Sequence, residues 1–176
     1  MDYRSWKKKE PILTKKQIAS RVKELAGAVS RDYDGKFPVI IGVLNGSFMF
    51  FADLVREITT DCEVDFIKIS SYGKASISSG WIHLSKDVEA DIAGRPVLVV
   101  EDIIDTGRSV EFIMERLMRL NPSSIRFVTL LLKEGSPETP MEIPYVGFVI
   151  PRRFVVGYGL DQAHRFRNLP EIYDSE

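Results

Sequence analysis

Residues 97–109, VLVVEDIIDTGRS, indicate both the fold class and the position of a binding site. Four aliphatic residues are followed by Glu101 and Asp102, then by two more aliphatic residues and a polar turn at 105–109. A continuous apolar run of this length is typical of a strand buried on both faces, as in parallel sheets. Helical periodicity resumes at Ser109, so the stretch predicts a strand, a turn and a helix in succession.

The rest of the chain alternates strands and helices around this stretch. Apolar runs of strand length lie at 39–43, 64–69, 126–132 and 145–150, and helical periodicity marks 14–31, 48–58 and 109–120. The first of these helices begins with a Thr-x-x-Gln capping box at Thr14. Buried strands alternating with helices predict an α/β fold with a mainly parallel twisted sheet flanked by helices. Residues 70–80 are small, polar and aperiodic, so we expect a mobile loop there.

The polar residues of 97–109 fall where such a sheet binds ligands. Ligands of open α/β sheets bind beyond the carboxyl ends of the strands, so we expect Glu101 and Asp102 to project into that crevice instead of the core. The turn at 105–109 supplies backbone N–H groups and hydroxyls at a helix N-terminus, which together form a cradle for phosphate. Carboxylates beside a phosphate repel it unless they hold sugar hydroxyls, bind a cation or accept a proton. A phosphorylated sugar satisfies all three demands.

Composition and motif content exclude several other classes of protein. Among 176 residues, Lys and Arg number 24 and Asp and Glu 25, so bulk charge does not recruit nucleic acid or a membrane surface. Cys62 is the sole cysteine, which excludes an intrachain disulfide and a cysteine metal cluster. A P-loop motif is absent, as are a long apolar span and the apolar core of a signal peptide. We therefore expect a cytoplasmic protein.

The stretch at 97–109 resembles the phosphoribosyl pyrophosphate-binding motif of the type I phosphoribosyltransferases. The shared pattern is four apolar residues, two acids, two apolar residues, Asp, Thr-Gly, any residue and Ser or Thr. The resemblance extends to 42–58, 70–73, 130–135 and 151–173, and it indicates the purine-salvage branch of the family. It implies a single domain over 1–176, with a core at about 36–145 and a small hood formed by about 1–35 and 146–176.

The resemblance implies a set of residues for the phosphorylated sugar. Glu101 and Asp102 would face the ribose hydroxyls, directly or through Mg²⁺, and Asp161 would be a further ligand of that ion. The 5′-phosphate would bind the loop formed by Asp105, Thr106, Gly107, Arg108 and Ser109. Asp105 would also lie near N7 of a purine, where it would act as the general base.

It also implies a pyrophosphate site. Leu44, Asn45 and Gly46 would line this site, with a cis peptide between Leu44 and Asn45, and Arg167 would contact the pyrophosphate. Arg153 is a weaker candidate near the phosphate, because a basic residue is common there in the family. The chain departs from the family at Asn45, where a basic residue is usual.

The base would bind at the C-terminal end of the chain. Lys133 follows a buried run, and its ammonium group has donors and no acceptor, so it pairs with a 6-oxo group and leaves a 6-amino group unpaired. Phe154 resembles the aromatic residue that stacks on the purine, while Val155 and Asp161 would offer backbone groups to its edge. Ser71 and Tyr72 would close over the site.

The activity implied is transfer of the 5-phosphoribosyl group from 5-phosphoribosyl 1-pyrophosphate to hypoxanthine or guanine, with Mg²⁺ as cofactor and a homodimer or homotetramer as assembly. One alternative is a phosphoribosyltransferase for another base, such as xanthine. The other is a regulator of the same fold that senses phosphoribosyl pyrophosphate and binds nucleic acid. Near-neutral charge and single-domain length argue against the regulator.

Overall fold

A six-stranded sheet lies at the centre of the computed structural model, which describes residues 2–71, 82–136 and 143–175. Its strands are β1 (Val39–Leu44), β2 (Glu63–Ser71), β3 (Ile82–Lys86), β4 (Pro96–Ile104), β5 (Ser124–Lys133) and β6 (Tyr145–Ile150). They lie in the order β3-β2-β1-β4-β5-β6, and every neighbouring pair is parallel except β2 and β3. The predicted mainly parallel sheet is confirmed.

Helices cover both faces of this sheet. They are α2 (Lys15–Asp32), α3 (Phe48–Glu57) and α4 (Arg108–Met118), while α1 (Tyr3–Trp6) packs against the C-terminal segment. Side chains of α2 and α3 pack with Ile40 of β1 and Leu98 of β4 in one apolar cluster. Side chains of α4 pack with the alternate residues Ile41 and Val99 in a second cluster. Burial on both faces explains why these strands are apolar at every position and not at alternate ones.

The strand order reverses between β1 and β4. The chain leaves β1 through α3 towards β2 on one side, and leaves β4 through α4 towards β5 on the other. Connections that diverge from neighbouring parallel strands open a crevice at their carboxyl ends, where α/β proteins bind ligands. The loop after β1 and the turn after β4 therefore lie side by side at this crevice.

Local sequence signals set the ends of the predicted helices. The backbone N–H of Gln17 donates to the Thr14 hydroxyl at 3.3 Å, and the N–H of Thr14 donates to the Gln17 side chain at 2.9 Å. The predicted capping box of α2 is thus confirmed. None of the helices in the described ranges has the length and apolar character needed to cross a membrane.

The N- and C-terminal segments pack on one another. Trp6 lies against Phe166 and Tyr173 with ring centroids 5.6 and 5.7 Å away, and Leu13 bridges to Ile172. A two-stranded ribbon, β7 (Val155–Val156) with β8 (Tyr173–Asp174), completes this part. Helix α2 and strand β6 fall inside the sequence ranges predicted for the hood, yet they pack against the main sheet.

Two sequence expectations require correction. Strand β4 does not end before the two acids but runs on to Ile104, and Glu101 is 4% exposed inside it instead of projecting from a strand end. Strand β3 lies beyond the expected loop and pairs with the end of β2, so that Ser70 faces His83. Ile82, Leu84 and Lys86 are half-buried and alternate with exposed residues, and this two-residue period is the sequence signal for the strand. Residues 72–81 of the expected loop lie outside the described residues.

Candidate active site

The loop after β1 forms one wall of the crevice. The peptide between Leu44 and Asn45 is cis, as predicted. The Ser47 hydroxyl, fully buried, donates to the carbonyl of Val43 at 2.6 Å and ties the loop to β1. A Cβ atom on Gly46 would lie 1.6 Å from Oδ2 of Asp102, so this position requires glycine. The loop is therefore in direct contact with the end of β4.

The turn after β4 forms the opposite wall. Gly107 has a φ of 75° and is the last residue before α4, and the N–H groups of the first turn of the helix face outward. A small cavity of about 90 Å³ lies here. Its lining includes Asp105, Thr106, Gly107 and Ser109, while Arg108 is exposed beside it. N–H groups, hydroxyls and the positive end of the helix dipole suit a phosphate group.

Two carboxylic acids lie between these walls. Burial, reinforced by the neighbouring charge of Asp102, raises the pKa of Glu101 well above its usual range. Burial also raises the pKa of Asp102 to about 6, although backbone N–H groups and the positive charge of Arg167 oppose this shift. A cation bound beside the two acids would favour their ionised forms and lower both pKa values.

The central cavity, about 270 Å³, lies between the β1 loop and these acids. Leu44, Gly46, Glu101, Asp102 and Ser109 line it, together with Val43, Ile69, Ser70, Ile82 and Ile103. Ile103 also lines the cavity at the turn after β4 and the third cavity, described below, so it is shared by all three cavities. Sequence reading missed it, because an aliphatic residue in a buried strand carries no signal of a site.

A third cavity of about 310 Å³ adjoins Asp102 on the side of the C-terminal segment. Lys133, Phe154, Val155 and Asp161 line it, with Ile103, Asp105 and Leu160. Inside it the Lys133 ammonium donates to Oδ2 of Asp105 at 2.6 Å. The ring of Phe154 is 49% exposed, so one of its faces is free to stack on a planar group.

The C-terminal segment closes the site over the β1 loop. Arg167 donates to the Gly159 carbonyl at 2.6 Å and pairs with Asp161 at 2.6 Å. The other oxygen of Asp161 accepts the backbone N–H of His164 at 2.7 Å. A Cβ atom on Gly159 would lie 2.1 Å from the carbonyl oxygen of Gly46, so the two loops touch. Arg167 is therefore held beside the loop that resembles a pyrophosphate site.

Proteins similar to this chain in sequence and fold include phosphoribosyltransferases. Residues 9–163 match the model of the phosphoribosyl transferase domain. The hypoxanthine-guanine phosphoribosyltransferase of Bacillus subtilis is 42% identical over 161 residues, which cover 92% of this chain and 89% of that protein. A crystal structure of a hypoxanthine-guanine phosphoribosyltransferase from Bacillus anthracis superposes with a TM-score of 0.89 at 42% identity, covering 96% of this chain and 99% of that chain. The chain belongs to the phosphoribosyltransferase family.

Some relatives in this family are much longer. The bifunctional protein TilS/HprT of Listeria monocytogenes is 41% identical over 161 residues, and the match covers 92% of this chain and 25% of that protein. The chain thus spans a quarter of the length of such a relative and nearly all of the Bacillus proteins. The phosphoribosyltransferase unit itself is what they have in common with this chain.

Most of the residues predicted for the family's site lie together at the crevice. The three cavities bring together Leu44, Gly46, Glu101, Asp102, Asp105, Thr106, Gly107, Ser109, Lys133, Phe154, Val155 and Asp161. Asn45 is exposed beside them and supplies no charge. Arg153 lines none of these three cavities and pairs with Asp174 at 2.6 Å. Ser71 ends β2, and Tyr72 lies outside the described residues.

The acids of the crevice fit the magnesium ion that this family uses. Carboxylate oxygens are the ligands Mg²⁺ prefers, and the raised pKa values of Glu101 and Asp102 mark negative charge that the protein leaves poorly compensated. Asp161 fits less directly, since protein donors already occupy both of its oxygens. Within the described ranges no group of three or more acidic, His or Cys side chains converges on one point. Mg²⁺ at such a site takes its other ligands from substrate and water.

Proposed function

We propose that this chain transfers the 5-phosphoribosyl group of 5-phosphoribosyl 1-pyrophosphate to hypoxanthine, guanine or both, giving IMP or GMP and pyrophosphate. The observation that carries the proposal is the Lys133–Asp105 pair, 2.6 Å apart in the pocket beside the phosphate turn. It joins a cationic donor to an anionic acceptor next to a site for a phosphorylated sugar.

This pair matches one edge of a 6-oxopurine. O6 accepts a hydrogen bond and the neighbouring N7–H donates one, so the base fits between the Lys133 ammonium and the Asp105 carboxylate. Phe154 would stack on the ring and the backbone of Val155 would meet its far edge. Adenine presents a 6-amino donor to Lys133, which has no acceptor, and the unpaired polar groups would exclude it.

The other two cavities suit the phosphorylated sugar. The turn from Asp105 to Ser109 would hold the 5′-phosphate through N–H groups at the start of α4. Glu101 and Asp102 would hold the ribose hydroxyls. The loop Leu44-Asn45-Gly46 would bind pyrophosphate through its backbone groups, and Arg167 would supply positive charge. The leaving group thus departs towards the β1 loop, away from the incoming base.

The chain's own residues would move the proton and stabilise charge. As the bond from ribose C1 to pyrophosphate breaks, negative charge grows on pyrophosphate beside Arg167. N9 of the base bonds to ribose C1 in its place, and N7 gives its proton to the Asp105 carboxylate, which acts as general base. Mg²⁺ supplies charge neutralisation for pyrophosphate when it is bound, and Glu101, Asp102 and Asp161 are the residues proposed to hold it.

Identification of the products tests this proposal. Purified protein incubated with hypoxanthine, phosphoribosyl pyrophosphate and Mg²⁺ is expected to form IMP and pyrophosphate in equal amounts, measured by chromatography. Omission of hypoxanthine is expected to abolish nearly all pyrophosphate release, because water is a poor substitute for the base. Pyrophosphate release that does not depend on the base, or without nucleotide, would overturn the proposal. The single-domain organisation, the homodimer or homotetramer and the cytoplasmic location stay predictions.

A further inference from the structure

A strained turn at residues 157–159 lies between the base pocket and Arg167. Gly157, Tyr158 and Gly159 have successive φ values of 103°, 49° and 99°. A bulky residue at positive φ costs roughly 1–3 kcal/mol and persists where its surroundings fix it. The glycines are fixed by contact, since Cβ atoms would lie 2.0 Å from the Glu171 carbonyl oxygen and 2.1 Å from that of Gly46.

Tyr158 is held in this conformation by its backbone and by its side chain, and its N–H donates to the Leu169 carbonyl at 2.8 Å. Its ring is 8% exposed, and its hydroxyl donates to Oδ2 of Asp53 at 2.6 Å. Asp53 lies in the second turn of α3, where Arg56 pairs with its other oxygen. Burial, with the hydrogen bond to Asp53, raises the pKa of Tyr158, so the hydroxyl keeps its proton and remains a donor.

Both ends of this hydrogen bond lead to the site. Helix α3 begins directly after Gly46 and Ser47, so Asp53 moves with the β1 loop. The turn carries the Gly159 carbonyl that accepts from Arg167, and the Gly159 N–H donates in return to the Arg167 carbonyl at 2.9 Å. The Tyr158–Asp53 hydrogen bond therefore links the β1 loop to Arg167, the two parts of the proposed pyrophosphate site.

We propose that Tyr158 and Asp53 are positioning residues that set the distance between Arg167 and the β1 loop, and with it the affinity for pyrophosphate. A buried hydrogen bond to a carboxylate has a narrow preferred geometry, so it fixes the position of the turn on α3 more closely than apolar packing does. The Lys133–Asp105 pair of the base pocket depends on other contacts, because it lies on β5 and the turn after β4, whereas other residues of that pocket flank the turn. The effect on the base should therefore be smaller than the effect on pyrophosphate. This inference rests on the proposed function for the identity of the ligand.

The test uses Tyr158→Phe, which removes the hydroxyl and keeps the ring. Calorimetric binding of pyrophosphate with Mg²⁺ is expected to weaken roughly 10-fold, a factor that corresponds to about 1.4 kcal/mol. In turnover, KM for phosphoribosyl pyrophosphate is expected to rise by a similar factor, while KM for hypoxanthine changes less than about 2-fold. Asp53→Leu should reproduce this effect, and Asp53→Asn, which retains an acceptor, should restore most of the affinity.

Tyr145→Phe is the matched control. The Tyr145 hydroxyl donates to Asp32 at 2.5 Å, so the same type of bond is lost, but at the amino end of β6, opposite the crevice. We expect a comparable loss of thermal stability in this control and unchanged pyrophosphate affinity.

If Tyr158→Phe binds pyrophosphate as tightly as the parent, or if it raises the KM values of both substrates by the same factor, the positioning proposal is wrong. A parent that binds pyrophosphate but forms no nucleotide would instead overturn the proposed function and leave this test valid. A parent that does not bind pyrophosphate would overturn both.

Discussion

The Asp105 carboxylate has two proposed partners, the Lys133 ammonium and N7–H of the base. Lys133 donates to it at 2.6 Å, whereas the proposed reaction requires it to accept the N7 proton of the base. Entry of a 6-oxopurine resolves the competition, because O6 gives Lys133 a new acceptor while N7–H meets Asp105. The ion pair thus keeps both groups in place until the base arrives.

Replacement of Asp105 by asparagine tests its role as base. Asparagine keeps the size and one acceptor oxygen but cannot take a proton near neutral pH. We expect kcat and kcat/KM to fall by roughly 10²–10⁴, which is the usual contribution of a positioned general base. Binding of phosphoribosyl pyrophosphate should remain within about a few-fold of the parent, and the exposed control Asp34→Asn should behave like the parent.

The opposite result would reassign the residue. If Asp105→Asn loses phosphoribosyl pyrophosphate binding and keeps its single-turnover rate, Asp105 is a ligand for the ribose phosphate and not the base.

At the scale of elements, the site depends on loops that touch each other closely. Gly46 lies against the Asp102 carboxylate and its carbonyl lies against Gly159, so strand ends β1 and β4 and the C-terminal segment share one junction. Each loop is set by the element before it. Small displacements in this junction therefore change the relative positions of the acids, the β1 loop and Arg167 together.

Gly46→Ala tests this junction. The new methyl group would lie 1.6 Å from Oδ2 of Asp102, so the loop or the acid must move. A misplacement of about 1 Å can lower the rate by roughly 10²-fold, and we expect a loss of this size in kcat/KM for phosphoribosyl pyrophosphate. Overpacking should also cost roughly 1–3 kcal/mol of stability, measured by chemical unfolding.

Gly27→Ala is the matched control for this substitution. Gly27 lies inside α2, where a Cβ atom would be 3.5 Å from the Arg31 side chain, an ordinary contact. Alanine in a helix interior is favoured over glycine by about 0.5–1 kcal/mol, so this variant should gain stability and keep full activity. Equal activity in both variants would show that the loop does not require the contact between Gly46 and Asp102.

The sequence predicted the elements better than it predicted their contacts. Residues 145–150 matched a strand to the residue, and Thr14 and Gln17 marked the start of α2, because periodicity and capping act locally. The Lys133–Asp105 pair and the junction at Gly46 join residues far apart in the chain, so no local pattern indicates them. Strand β3 was not predicted, because its alternation of apolar and polar residues is short and follows a polar stretch.

Across the whole molecule, the acid pair makes stability depend on pH. The pKa values of Glu101 and Asp102 are raised in the folded protein, the latter to about 6. The folded state then binds more protons than the unfolded state, so their stabilising contribution is complete below the unfolded pKa values and is lost as pH rises through about 6 and above. Asp65 and Asp87 act in the opposite direction, because hydrogen bonds and ion pairs lower their pKa values.

Glu101→Gln isolates the contribution of the pair. Glutamine is neutral at every pH and still donates to Asp102, so the variant should unfold at the same temperature as the parent near pH 4. Near pH 8, without Mg²⁺, it should be more stable by about 1 kcal/mol, or roughly 2–4 °C for a chain of this size. Scanning calorimetry at both pH values measures this. A difference in unfolding temperature that is the same at both pH values would contradict the raised pKa values of this pair.

A comparison of four bases tests the claim that Lys133 selects 6-oxopurines. Pyrophosphate release by the parent protein is measured with hypoxanthine, guanine, xanthine and adenine in parallel, with and without Mg²⁺. Pairing of Lys133 with the 6-oxo group predicts that kcat/KM for hypoxanthine or guanine exceeds that for adenine by roughly 10⁴, and that Lys133→Gln narrows this ratio. A preference for xanthine would assign the chain to a different base. Equal use of adenine, or no base-dependent release with any 6-oxopurine, would contradict the claim.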